Sequence, residues 1–379
     1  MLGGDYLKSL YIHIPFCKSK CYYCDFNSYS GKEGLAPKYV EALKKELSKI
    51  DHEFKTVYFG GGTPSNISSK FIKEILSEIK CDGEVTLELN PGTITREKLI
   101  DYKEAGINRL SIGLQAVQDD LLKRIGRIHT LKEFEEAYNM VREVGFTNIS
   151  VDLMFGLPGQ TLENVYESLE YIIKIKPEHV SCYSLIVHDE LISKHPDAFS
   201  DLPSDEEERN MYYLICDKLN AAGYEQYEIS NFAKPGFESK HNMCYWNQDE
   251  YFGIGAGASS YIDGARYKNI DSIEEYIDNV LNDKIDYRVI EEEQDDDSKL
   301  REYMILKLRL LKGVSKAEAK ERFNVNVLEV FDKEITKMKN QGLLEVIDIF
   351  DNDTNKKDIS IRLTKKGLDL ANIVWEDFI

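Results

Sequence analysis

The sequence lacks any run of roughly 18 apolar residues that could cross a bilayer, and its first ten residues have neither the basic start nor the long apolar segment of an export signal. The expectation is a cytoplasmic protein with no integral membrane part. Basic runs are missing as well: 48 Lys and Arg stand against 67 Asp and Glu, for a net charge of −19. Such a chain repels phosphate backbones, so nucleic acid is not an expected partner. Cysteine is sparse and odd in number, seven in 379 residues, which does not fit the disulfide framework of a small secreted domain. Metal binding or burial must account for the thiols.

What is present is an ordinary globular composition, 42% hydrophobic and 30% charged, in a chain long enough for one large and one smaller unit. Short β-rich runs alternate with amphipathic helical periods from residue 6 to about residue 187, the pattern of a parallel sheet wrapped by helices. Six strands are expected, at 9–14, 56–59, 85–89, 109–114, 149–155 and 179–187, each closed by turn residues. Six βα units fall short of a closed barrel. The expected fold is therefore an α/β partial (β/α)6 TIM-like barrel with its chemistry at the C-terminal strand ends.

Beyond His188 the pattern changes to an acidic helix start at 204–208, a Tyr-rich strand near 224–229 and a Gly, Asn and aromatic stretch over 234–267 that reads as loop. The acidic run 291–297 reads as a linker. Helical patterns at 299–311, 315–322 and 328–339, a polar hairpin signal at 352–357 and a strand at 359–363 suggest a small winged-helix-like α+β domain. The proposed organisation is 1–233 for the barrel, 234–294 for a loop region and linker, and 295–379 for the C-terminal domain. Residues 295–379 carry 16 basic and 17 acidic side chains, so DNA binding is not expected of this domain either. A docking or lid role is the expectation.

The strongest chemical signal is Cys17-x3-Cys21-x2-Cys24, on a loop directly after the first strand. Three thiolates on a tight loop reach three corners of an iron-sulfur cube. A structural zinc site wants a fourth ligand, and no second Cys or His pair stands at zinc-site spacing. Lys18, Ser19 and Lys20 make the loop too polar to be a buried core segment. One iron is thus left without a protein ligand.

This arrangement resembles the radical SAM superfamily over roughly residues 5–260. There the amino and carboxylate groups of S-adenosylmethionine (SAM) bind the open iron of a [4Fe-4S] cluster, and one-electron reduction can cleave SAM to a 5'-deoxyadenosyl radical. The cradle has further parts. Gly60-Gly61-Gly62-Thr63-Pro64 ends the second strand, Glu88 lies at the end of the third, Gln115 closes the fourth, Arg127 follows twelve residues on, and Asp152 lies in the fifth. Together they resemble the branch of oxygen-independent coproporphyrinogen III oxidases and their relatives. The resemblance implies SAM contacts for Tyr11, Gly61, Gly62, Thr63, Glu88, Gln115, Arg127 and Asp152, and an electron donor to the cluster.

Within that branch the sequence departs from the oxidases. They extend the motif to C-x3-C-x2-C-x-C, whereas Cys24 is followed by Asp25 and Phe26, and only ten residues precede Tyr11 where the oxidases carry a substantial extension. His241-Asn242-Met243-Cys244-Tyr245-Trp246 matches the HNxxYW motif of the HemW-type haem chaperones. That resemblance implies haem as cargo and an acceptor protein for it, with His241 a principal haem determinant and Tyr245 and Trp246 as aromatic contacts. Cys81, Cys182, Cys216 and Cys244 read as packing residues. Three functions remain open: haem carrier, coproporphyrinogen oxidase, or radical SAM enzyme on another substrate. Catalytic residues stay unassigned.

Overall fold

Alternation of side chains along the strands decides the architecture. Residues 8–284, 287–351 and 356–379 are described by a computed structural model. Parallel strands β1 (Lys8–Ile14), β2 (Phe54–Gly61), β3 (Glu84–Leu89), β4 (Arg109–Gln115), β5 (Ile149–Phe155) and β6 (His179–Ser184) lie side by side in chain order. One face is apolar and fully buried: Leu10 and Ile12 of β1, Val57 and Phe59 of β2, Leu110 and Ile112 of β4. It packs on the apolar stripes of helices α1 (Ala36–Leu47), α2 (Ser69–Leu76), α3 (Arg96–Glu104), α4 (Leu131–Val144) and α5 (Leu162–Ile175). The other face is polar. Ser9 meets Thr56, Tyr58 meets Glu88, Ser111 meets Asp152 and Ser150 meets His179 across neighbouring strands, so the barrel lumen is a polar, hydrogen-bonded interior.

Local sequence sets the helix starts. Thr130 with Glu133, Thr161 with Asn164 and Ser204 with Glu207 form reciprocal caps at α4, α5 and α6 (Asp205–Ala221), each satisfying two otherwise orphaned amides. The sixth strand ends at Ser184, short of the expected 187. Leu185 still donates to Phe155 O at 2.9 Å, and the chain then turns into the short helix Asp189–Lys194.

The stretch read as loop at 234–267 is ordered structure. It contains the helix Lys240–Trp246, strand β7 (Tyr251–Ile254) parallel to the free edge of β1, and β8 (Ser259–Ile262) with β9 (Ala265–Asn269) antiparallel beyond it. Glu46 fastens this addition. Its carboxylate accepts from Gly255 N at 3.0 Å, Asn269 Nδ2 at 2.9 Å, Tyr276 Oη at 2.5 Å and Arg288 at 3.1 Å. Near 224–229, only Glu225–Gln226 is strand.

The chain divides into two compact units. One takes the chain up to Glu225 with Phe232–His241 and Glu250–Glu292, and the other takes Gln226–Asn231, Asn242–Asp249 and Glu293–Ile379. The second unit has its own core, including Tyr303, Met304, Phe331, Ile361 and Phe378. Its helices Asp296–Lys307, Lys316–Phe323 and Asp332–Asn340 accompany an antiparallel sheet of β10 (Val314–Ser315), β11 (Leu344–Asp351) and β12 (Lys356–Leu363), with β12 central. That is a winged-helix-like arrangement. The hairpin signal at 352–357 falls mostly on residues 352–355, outside the described residues.

Candidate cluster and cofactor site

The cysteine loop leaves β1 at Ile14 and is held at its base by a parallel bridge of Phe16–Cys17 to Tyr29–Ser30. Cys24 N donates to Cys21 O at 3.2 Å, which curls the loop, and Lys20 Nζ ties it down through Phe26 O at 2.9 Å. Each thiol meets a polar group from a different direction. Cys17 Sγ lies 3.5 Å from Thr63 Oγ1, Cys24 Sγ lies 3.8 Å from Ser28 Oγ, and Cys21 Sγ accepts from Arg127 Nη1 at 3.7 Å. Burial pushes the Cys17 and Cys24 thiols above their ordinary range, hydrogen bonds and Lys20 pull them back, and the neighbouring Cys21 raises them. Three thiolates here repel one another until a cationic body sits among them.

Among the described residues, no three His, Cys, Asp or Glu side chains converge on a point that one metal ion could fill. The donor set, three thiols on one short loop, is of the kind that holds iron-sulfur clusters. Arg127 gives the second sign of fit. It donates to Gly113 O at 2.9 Å and to Cys21, yet its buried Nε has no partner. Such an orphan costs about 1–3 kcal/mol unless a ligand supplies an acceptor. A carboxylate would do so.

The glycines at the end of β2 are required by the protein's own packing. A Cβ on Gly61, whose φ is +110°, would lie 2.4 Å from the His13 ring, and one on Gly62 would lie 2.9 Å from Phe16 N. Gly62 N donates to Ile14 O and Thr63 N to Phe16 O, so the strand end is sewn to the start of the cysteine loop. Gly113 is equally constrained, because a Cβ there would strike Gln115 Nε2 at 2.7 Å and Arg127 at 2.8 Å. Gln115 itself is non-glycine at φ +72°, beside a register shift between β4 and β5. Strain of this kind collects at functional sites.

Facing the lumen and only partly buried stand Tyr11, Glu88 and Asp152. Glu88 accepts from Tyr58 Oη at 2.8 Å. Burial, with Asp152 adding to it, pushes its carboxyl up to about 7, while Tyr58 and Gly61 N work against the shift. Asp152 accepts from Ser111 at 3.1 Å, and burial raises it too. A cationic ligand group would ionise both. Tyr11 stacks on Tyr58 at 6.2 Å between ring centroids, and its hydroxyl lies 3.0 Å from His13 Nδ1. The structure therefore gathers Cys17, Cys21, Cys24, Thr63, Gln115, Arg127, Asp152, Glu88, Tyr11 and the glycines Gly61 and Gly62 around one end of the lumen.

His241 lies elsewhere. It is 1% exposed, with Nδ1 2.8 Å from Thr56 Oγ1, its ring stacked 5.0 Å from Tyr58, and its backbone N–H donating to Glu84 Oε1 at 3.2 Å. Burial first, then Arg109, lowers it to about 3, so it is a neutral imidazole. Thr56 precedes Tyr58 by two on the same face of β2, which puts His241 one layer below Glu88 and away from solvent. The sequence reading missed this layer of Thr56, Glu84, Arg109 and His179. Its signal was the polar member of every strand alternation. In the second unit, Trp246 packs 4.3 Å from the Arg309 guanidinium, with Trp375 at 5.2 Å, and both indole N–H groups are buried without a partner. Tyr245 is half-buried.

Residues 11–172 match the Radical SAM superfamily, and residues 294–349 match the HemN C-terminal domain. The solved coproporphyrinogen III oxidase HemN of Escherichia coli superposes with a TM-score of 0.84, covering 98% of this chain and 90% of that one at 22% identity. That likeness speaks to the fold, which is a radical SAM barrel with a C-terminal addition. The chain is 38% identical to the heme chaperone HemW of Bacillus subtilis (strain 168), covering 98% of this chain and 99% of that one. Against the heme chaperone HemW of Lactococcus lactis subsp. lactis (strain IL1403) it is also 38% identical, over 98% of this chain and 97% of the relative. The chain belongs to the HemW family.

Proposed function

We propose that this chain is a haem carrier that holds a [4Fe-4S] cluster on Cys17, Cys21 and Cys24, binds SAM against it and passes haem to an acceptor protein. Its full-length likeness to heme chaperones carries the reading. The thiol loop and the orphaned Arg127 Nε support the cluster and SAM. When bound, the cluster supplies an open iron and a one-electron couple.

The chain's own residues do the rest. Thr63, Ser28 and Arg127 stabilise sulfur charge, Glu88 and Asp152 offer carboxylates to cationic groups of SAM, and Arg127 with Gln115 offers donors to its carboxylate and hydroxyls. Tyr11 shapes the lumen wall, and Gly61 and Gly62 keep the β2 end against the cluster loop. An electron donor is implied, and the reading places the protein in the cytoplasm. Among the described residues no helix is long and apolar enough to cross a membrane.

The test is anaerobic reconstitution followed by haem titration, haem transfer to an apoprotein acceptor and a coproporphyrinogen III assay on the same sample. Expected are about four irons per chain, haem uptake and transfer, and no protoporphyrinogen IX. SAM-dependent formation of protoporphyrinogen IX would overturn the reading in favour of an oxidase.

A further inference from the structure

Apolar side chains that stay exposed beside a chemical centre call for an occupant. The segment after β6 is extended, and its side chains alternate. Leu185 and Val187 turn inward to an apolar cluster with Leu121, Leu122, Ile125 and Phe199, which pins the segment. Ile186, between them, is left 71% exposed. His188 follows two residues later, with its side chain 63% exposed and Nε2 3.8 Å from Asp25 Oδ2. Asp25 directly follows Cys24, and the next residue, Phe26, is 64% exposed. The same two segments meet again where Tyr22 stacks on His195 at 4.3 Å. An accessible imidazole thus stands at the cysteine loop, two residues from the exposed Ile186 and against Asp25, the chain neighbour of the exposed Phe26.

We propose that haem docks on this rim, with His188 as an axial ligand, Ile186 and Phe26 as the apolar faces against the macrocycle, and Lys18 near its propionates. The inference rests on the haem-carrier reading and gives that cargo a place. Three observations select haem as the occupant. An imidazole facing a carboxylate on one ring nitrogen and free to meet a metal on the other is a common iron-ligand arrangement. Each of the two segments that meet at it exposes a large apolar side chain, Ile186 on one and Phe26 on the other. The cysteine loop also exposes Lys18, a cation of the sign that the two carboxylates of the porphyrin need in a chain of net charge −19. His241 offers the iron much less, because its ring is buried and already shared with Thr56 and Tyr58.

The test is titration of the full-length, cluster-reconstituted protein with ferric haem, read by the Soret band and by affinity. His188→Ala should weaken binding at least tenfold and move the band, and His188→Met should bind with a different band, as a thioether ligand would give. Ile186→Glu should lower affinity several-fold without changing the ligand spectrum. His52→Ala, at an exposed histidine far along the chain from this rim, serves as the control and should match wild type. All of these are surface changes, so iron content and melting temperature should stay at the wild-type level. Wild-type spectrum and affinity in His188→Ala would overturn the inference while leaving haem carriage standing, and so would loss of the band in His241→Gln alone. No haem uptake by the wild type would instead remove the reading on which the inference depends.

Discussion

Two buried carboxylates in the barrel unit show how a structural group differs from one that awaits a ligand. Glu46, 1% exposed, receives four hydrogen bonds from Gly255, Asn269, Tyr276 and Arg288, and these join β7 and β9 to α1. Glu88 receives two, from Tyr58 Oη and from the backbone N–H of Gly61, and has Asp152 for a neighbour. Burial raises both carboxyls. The protein itself saturates the first, whereas the second remains partly open to a lumen that also holds the orphaned Arg127 Nε. Burial and a shifted carboxyl alone therefore do not mark a site; incomplete pairing does.

The largest effect that would break this contrast is on folding. Glu46→Ala leaves Arg288, Asn269 and Tyr276 facing a hole, and should destabilise the protein by about 3 kcal/mol, in the range for breaking a buried ion pair. Denaturant unfolding measures it. A loss under about 1 kcal/mol would mean that the Glu46 network is no more structural than a surface pair. Glu88→Gln should cost far less or even stabilise the ligand-free protein, since it removes a poorly paired carboxyl and keeps an acceptor for Tyr58.

A finer separation comes from pH. The Glu88 carboxyl has a folded value of about 7 against an ordinary 4.5, so the folded chain keeps a proton that the unfolded chain has lost between those values. Stability from this group falls as pH rises through that window and is level above it. Glu88→Gln should flatten that part of the stability profile. An unchanged slope would mean that Glu88 is ionised throughout and better paired than its neighbours indicate. The smallest effect belongs to the edge of the Glu46 seam: Tyr276→Phe removes the hydroxyl that donates to Glu46 and should cost about 1.5 kcal/mol, the value of one hydrogen bond to a carboxylate, with no change in ligand binding.

The same contrast explains what could be read in the sequence. The six parallel strands were legible because apolar residues such as Leu10, Ile12, Val57, Phe59, Leu110 and Ile112 alternate with polar residues or glycine. The cysteine loop was legible because its ligand spacing is local. β7 to β9 were not, since their attachment rests on Glu46, more than 200 positions away from Gly255 and Asn269, a polar tie that no periodicity announces. His241 was legible as a motif residue and illegible as a lumen residue. Its partners Thr56, Tyr58 and Glu84 come from strands far earlier in the chain.

The central claim, that the open end of the lumen is kept incompletely paired for SAM, is tested most directly by titrating SAM into the anaerobically reconstituted protein and following the cluster's electron paramagnetic resonance spectrum. Wild type and Glu88→Gln should carry equal iron, and the variant should bind SAM about tenfold more weakly, roughly 1.4 kcal/mol. Equal affinity and an identical spectral change in the two proteins would contradict it.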